Sequence, residues 1–104
     1  HAFRWSKDDG ISDLGVLPQH EPGISQGLGI NKHGQIVGMS CAAGCVDCRA
    51  VIWENGVISD LNLRVPGYTG HLVFANDIND DGEITGQATA DNGESVAFLA
   101  VPAK

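Results

Sequence analysis

Cations are scarce in this 104-residue chain: six Lys and Arg stand against 13 Asp and Glu, for a formal net charge of −7. A surface of that sign repels phosphate backbones and argues against a nucleic-acid partner. Aromatics are equally thin at 6%, so any core must rest mainly on small aliphatic side chains. No apolar run reaches the roughly 20 residues of a membrane span, and no polybasic or amphipathic stretch marks a membrane surface, so membrane insertion is not expected. None of the glycine clusters opens a predicted helix, which removes a phosphate-cradling loop. An initiator Met and a signal peptide are also lacking, and the chain opens inside the first strand of a repeat. We therefore expect processing or excision from a longer product, which would have removed any signal peptide.

What the chain has instead is glycine, 14 residues of it, and an internal repeat. Ile30-Asn31-Lys-His-Gly34-Gln-Ile36-Val-Gly38 returns as Ile78-Asn79-Asp-Asp-Gly82-Glu-Ile84-Thr-Gly86, each matching residue 48 positions on. Upstream, His1-Ala-Phe-Arg-Trp5 returns as Arg49-Ala-Val-Ile-Trp53, and Gly10-Ile-Ser-Asp-Leu-Gly15 as Val57-Ile-Ser-Asp-Leu-Asn62. One supersecondary unit has been copied. The domain 1–104 divides into repeat 1 (1–48), repeat 2 (49–95) and the opening strand of a third copy (96–101).

Nine short segments have strand composition between turn residues: 2–5, 11–14, 27–31, 35–40, 50–53, 57–61, 73–79, 83–88 and 96–101. Asn31–Gly34, Asn79–Gly82 and Glu54–Gly56 carry the Asn, Asp and Gly of tight hairpins, so neighbouring strands are predicted to pair antiparallel. Proline-bearing loops after Leu14 and Leu61 read as crossings between sheets. The pattern predicts an all-β chain of antiparallel four-stranded meanders in tandem, like β-propeller blades, over about two repeats. One blade (27–31, 35–40, 50–53, 57–61) should be complete, with two strands before it and three after it. Helices are not expected. Trp5 and Trp53 hold the same repeat position and are predicted to pack in the core; Phe3, Trp5, Val51 and Trp53, set opposite Ala2, Ala50 and Ile52, imply sheets buried on both faces.

The run HAF-x-W, G-x-x-DLG and GIN-x-x-GQIVG-x-S, followed by a second A-x-x-W start, resembles the HAF-type repeat of extracellular bacterial proteins, and the likeness spans nearly the whole chain. It implies an extracellular or cell-envelope address and a propeller-like build, and no catalytic residue. His1 becomes Arg49 and Gln35 becomes Glu83 in the second unit, so neither side chain is obligatory in every unit.

Several clusters invite a chemical reading. Asp77, Asn79, Asp81 and Glu83 fit the start of a D-x-[DN]-x-D-G calcium loop, but the closing bidentate Glu is absent and the matching loop at 29–34 lacks the acids. An acidic Asx-type turn is the simpler reading, with Ca²⁺ the one cofactor the pattern allows. Cys41, Cys45 and Cys48 lie in one loop that has no counterpart in repeat 2; in an oxidising setting a Cys41–Cys48 disulfide is predicted, leaving Cys45 free or intermolecular. A metal site of the three cysteines with His33 or His20 would lack the paired C-x2-C of structural zinc. In a glycan-binding reading, Tyr68 and His71 are the residues expected to face a sugar ring. No Ser-His-Asp arrangement can be read without distances.

The expected function is a non-catalytic extracellular module for scaffolding, adhesion or self-assembly, not an enzyme. Self-association would run through edge strands or blade faces, closing a ring or extending head to tail. A glycan- or small-molecule-binding propeller fragment is the alternative, and catalysis is the weakest reading.

Overall fold

The computed structural model describes residues 1–102; Ala103 and Lys104, the end of the predicted domain, lie outside the described residues. Nine strands follow in order: β1 (Ala2–Ser6), β2 (Gly10–Gly15), β3 (Gly23–Ile30), β4 (Ile36–Ala42), β5 (Val46–Glu54), β6 (Val57–Asp60), β7 (His71–Ile78), β8 (Ile84–Thr89) and β9 (Ser95–Ala100). They form three antiparallel sheets ordered β1-β2, β3-β4-β5-β6 and β7-β8-β9. The expected succession of two, four and three strands is therefore present, and the chain is all-β. The central sheet straddles the sequence repeat, taking β3 and β4 from repeat 1 and β5 and β6 from repeat 2.

Turn chemistry fixes these meanders. Gly34 and Gly82 occupy positive φ at 79° and 83° in the β3–β4 and β7–β8 turns, a region an L side chain seldom enters. Where the chain crosses between sheets, two short 3-10 turns form at Pro18–His20 and Leu61–Arg64. They correct the expectation that no helical segment occurs. Proline at the first position starts one, and the Asp60 carboxylate, accepting from the Asn62 N–H, caps the other.

Several strands begin earlier than their composition suggests. β3 starts at Gly23 instead of residue 27, β5 at Val46 instead of residue 50, and β7 at His71 instead of residue 73. The added residues mix glycine, polar and apolar types without a continuous strand pattern, and they are held by pairing with a partner strand, as Gly23 is with Ala42 and Val46 with Ala42. Bulges at Leu28 in β3 and at Val73 and Asn76 in β7 interrupt the register of the first strand of each of these sheets.

Two cores separate the three sheets. Ala2, Leu17, Ile36, Val51 and Trp53 fill the space between the first and second sheets. Val37, Ala50, Ile52, Leu72, Ala75, Ile78 and Ile84 are central to the space between the second and third. Ala50, Val51, Ile52 and Trp53 are all buried, so β5 is packed on both faces, as expected. Trp53 is 1% exposed and its indole N–H donates to the Leu14 carbonyl at 2.8 Å, pinning sheet one to sheet two. Trp5 corrects the paired expectation: it is 65% exposed, like Phe3. Their face of β1 has no sheet against it among the described residues.

Candidate functional site

The repeat positions that differ between units turn out to be the most informative. His1 Nδ1 donates to both oxygens of Asp13 at 3.0 Å, while Arg49 Nη1 donates to Asp60 Oδ2 at 2.9 Å. The same acids receive the backbone N–H of Gly15 and of Asn62. His and Arg are thus alternative hydrogen-bond donors to one repeated carboxylate. Gln35 and Glu83 are likewise equivalent acceptors, each taking a hydrogen bond from the side-chain amide of the repeat Asn, Asn31 or Asn79, at 2.7 Å.

That Asn organises the turn at both places. Asn31 Oδ1 accepts from the N–H groups of His33 and Gln35, and Asn79 Oδ1 from those of Asp81 and Glu83. Asn31 also reaches the next unit, donating to the Asn79 carbonyl at 3.0 Å, and beside it the Lys32 N–H donates to Asp80. These bonds link residues one repeat apart and stack the two turns. For the predicted calcium set, the consequence is direct. The Asn79 oxygen faces two N–H groups, Asp77 accepts from the Ile78 N–H, and Glu83 holds the Asn79 amide. Among the described residues no three His, Cys, Asp or Glu side chains converge as a metal cluster.

Distances bring together one triad that spacing could not reveal. His20 is 1% exposed; its Nδ1 lies 2.7 Å from Ser40 Oγ and its Nε2 3.0 Å from Asp47 Oδ2. The Ser40 hydroxyl also accepts from the Leu17 N–H at 3.0 Å. A carboxylate can only accept, so Nε2 donates to Asp47. Ser40 is fully buried, so its oxygen has no path to a substrate, and the cluster works as a polar rivet under the cysteine loop. Arg49 extends it, donating to both Asp47 and Asp60. Hydrogen bonds from Arg49 and then His20 lower the Asp47 pKa, while those from Asp47 and Asp60 raise that of Arg49.

The loop above carries the Cys41–Cys48 disulfide, Cα to Cα 4.1 Å, with Cys45 free and exposed. Both observations match the predicted pairing. His71 Nε2 donates to the Cys48 carbonyl at 2.7 Å, tying β7 to this loop. Tyr68 instead lines a cleft of about 340 Å³ with Val65, Leu72 and Phe98, in which His71 takes no part.

A more polar cleft of about 470 Å³ opens between the stacked turns, lined by His33, Gln35, Glu54, Asp80 and Asp81 among others. Glu54 accepts from Gln35 Nε2 and Arg64 Nη2, both at 2.9 Å, and those bonds, in that order, lower its pKa. It is a fixed anion, ill-suited to deliver a proton. No buried side-chain nitrogen or oxygen among the described residues lacks a hydrogen-bond partner, so the internal polar groups are occupied with structure.

The most distinctive surface is apolar. Phe3, Trp5 and Ile11 are 65%, 65% and 72% exposed on the first sheet, next to Ile24, Leu28 and Ile30 of β3 at 38%, 43% and 57%. A shallow groove of about 270 Å³ runs between β1 and β3, lined by Phe3, Trp5, Leu28 and Ile30. Isolated exposed aliphatics need no explanation, but a contiguous patch marks a contact surface. Sequence pattern alone did not place it, because Val51, Trp53, Leu72 and Ile78, at the repeat positions of Phe3, Trp5, Ile24 and Ile30, are buried in the second unit.

No family model, no curated protein and no solved structure matches this chain.

Proposed function

We propose that the chain is a non-catalytic association module, a scaffold or adhesion unit that joins partners through the faces and edges of its sheets. The observation that carries this reading is the unequal fate of equivalent residues. Val51 and Trp53 are 0% and 1% exposed against the first sheet, whereas Phe3 and Trp5, at the same repeat positions, are both 65% exposed. Aromatic side chains of this size contribute strongly to association when they leave water. The succession of three sheets supports a propeller-like build, and the likeness to the HAF-type repeat fits it. The Cys41–Cys48 disulfide supports an oxidising, extracellular or cell-envelope address. The glycan-binding alternative rests on Tyr68 and His71, of which Tyr68 lines the apolar cleft and His71 bonds to the cysteine loop.

Acrylamide quenching across a dilution series tests the reading, because buried Trp53 is shielded and Trp5 supplies the quenchable signal. Trp5 is expected to be accessible at high dilution and protected as concentration rises. Equal quenching at every concentration would refute association through this face.

A further inference from the structure

The repeat also shows what kind of body fits the groove beside β3. Ile24 and Ile30 have equivalents 48 residues on in Leu72 and Ile78 of β7. Leu72 and Ile78 are 3% and 4% exposed, because β7 lies across β3, β4 and β5 of the preceding sheet, with Val37 and Ile52 in the same core. Ile24 and Ile30 are 38% and 57% exposed, since among the described residues the sheet preceding β3 consists of β1 and β2, the counterparts of β5 and β6. What β3 lacks is the pair of strands that β3 and β4 themselves supply to β7. The missing pair would also occupy the open edge of β1. Its counterpart β5 takes β4 there, with Ile36 opposite Trp53 and Gly38 opposite Val51.

We propose that the β1 edge and the β3 groove together form an acceptor site for a β-hairpin of the β3–β4 type, presented by another unit of this repeat. The hairpin would add to the β1 edge by backbone pairing, with Ile36 opposite Trp5 and Gly38 opposite Phe3, and lay Val37 and Met39 over Ile24 and Ile30. Selectivity follows from close approach. A Cβ built on Gly29 would come within 2.8 Å of the Asp77 Cα in the next unit, so the donor needs glycine there. The β7–β8 hairpin is a poor donor: it carries Asp77 at that position and Thr85 and Gln87 in place of Val37 and Met39.

This inference rests on the association reading for the identity of its partner, but its test reads the groove alone. A fluorescent peptide spanning Gly23–Ser40, which contains no cysteine, is titrated into the 104-residue chain and followed by anisotropy. Saturable binding is expected. Ile30→Lys, at a position already open to water, should leave the melting temperature unchanged yet weaken binding by at least about tenfold, since the docked hairpin would bury the charge. Leu99→Lys at the far sheet should leave binding unchanged, and a Gly29→Val peptide or a β7–β8 peptide (Leu72–Ala88) should not bind. Absence of binding at millimolar peptide, or binding indifferent to Ile30→Lys, would overturn the proposal. The association reading would then still stand or fall on the dilution experiment.

Discussion

At the scale of single residues, the repeat explains itself by function within the turn. Asn31 holds its own hairpin and the neighbouring unit, whereas Asn79 holds only its hairpin within the described residues. Truncating Asn31 to Ala should therefore cost more than the same change at Asn79, by about 1 kcal/mol for the additional inter-unit bond, read from urea midpoints. Asp60 is 5% exposed and accepts from Arg49 and from the backbone and side chain of Asn62. Asp60→Ala should destabilise by about 2 kcal/mol, and Arg49→His should cost less than that, because His1 shows a ring N–H serving the equivalent carboxylate while the bond to Asp47 is lost. Neither partnership was legible beforehand. Sequence displayed His1 and Arg49 as a mismatch, and only the shared carboxylate shows them to be one role.

Titration belongs to the same scale. Asp47 and Glu54 have pKa values lowered from 3.8 and 4.5 by their hydrogen-bonded partners. A depressed folded-state pKa adds stability above the unfolded value, and that stability is lost as pH falls through the folded one. Thermal unfolding followed below pH 4.5 should therefore show a decline that Glu54→Gln makes shallower. Both carboxylates are partly solvated, with side chains 44% and 35% exposed, so the effect should be modest.

At the scale of elements, strand number and succession were legible because hairpin residues and apolar runs alternate throughout. Strand starts were not: Gly23 has no strand preference and Val46 is followed by Asp47 and Cys48, so both join the ladder through their partner strands. The short 3-10 turns arose from a proline start and a carboxylate cap that a strand-centred reading passes over. The cysteine loop was legible, since three cysteines in one loop leave few choices. Mass spectrometry without reductant should find Cys41 joined to Cys48 and only Cys45 alkylated; three reactive thiols would contradict the pairing. Replacing both bridged cysteines by Ala should cost about 2 kcal/mol, as expected for so short a loop. In the acidic β7–β8 turn Asn79 Oδ1 already accepts from the Asp81 and Glu83 N–H groups, so millimolar Ca²⁺ is expected to leave the melting temperature unchanged; a rise abolished by Asp81→Ala would support the calcium reading instead.

At the scale of the whole molecule, the two ends of the sheet succession differ. The first sheet ends on Phe3, Trp5 and Ile11, whereas the outer face of the third offers Thr85 and Gln87 beside Ala97 and Leu99. Pattern alone could not distinguish an end from a middle, because Trp5 and Trp53 look identical until the neighbouring sheet is counted. The apolar end gains most from a partner: each aliphatic side chain removed from water there is worth about 1.5–3 kcal/mol when fully covered. Trp5→Glu should accordingly weaken association without lowering the stability of the central sheet, which is measurable by sedimentation and by urea unfolding of the same sample.

The central claim, that this chain exists to join other chains, is tested most directly by multi-angle light scattering across a concentration series from nanomolar to high micromolar. The mass is expected to rise above the 10.9 kDa of one chain as concentration increases, and Trp5→Glu should hold it down. A particle that stays at one chain's mass throughout, while unfolding as a single cooperative unit, would contradict the claim.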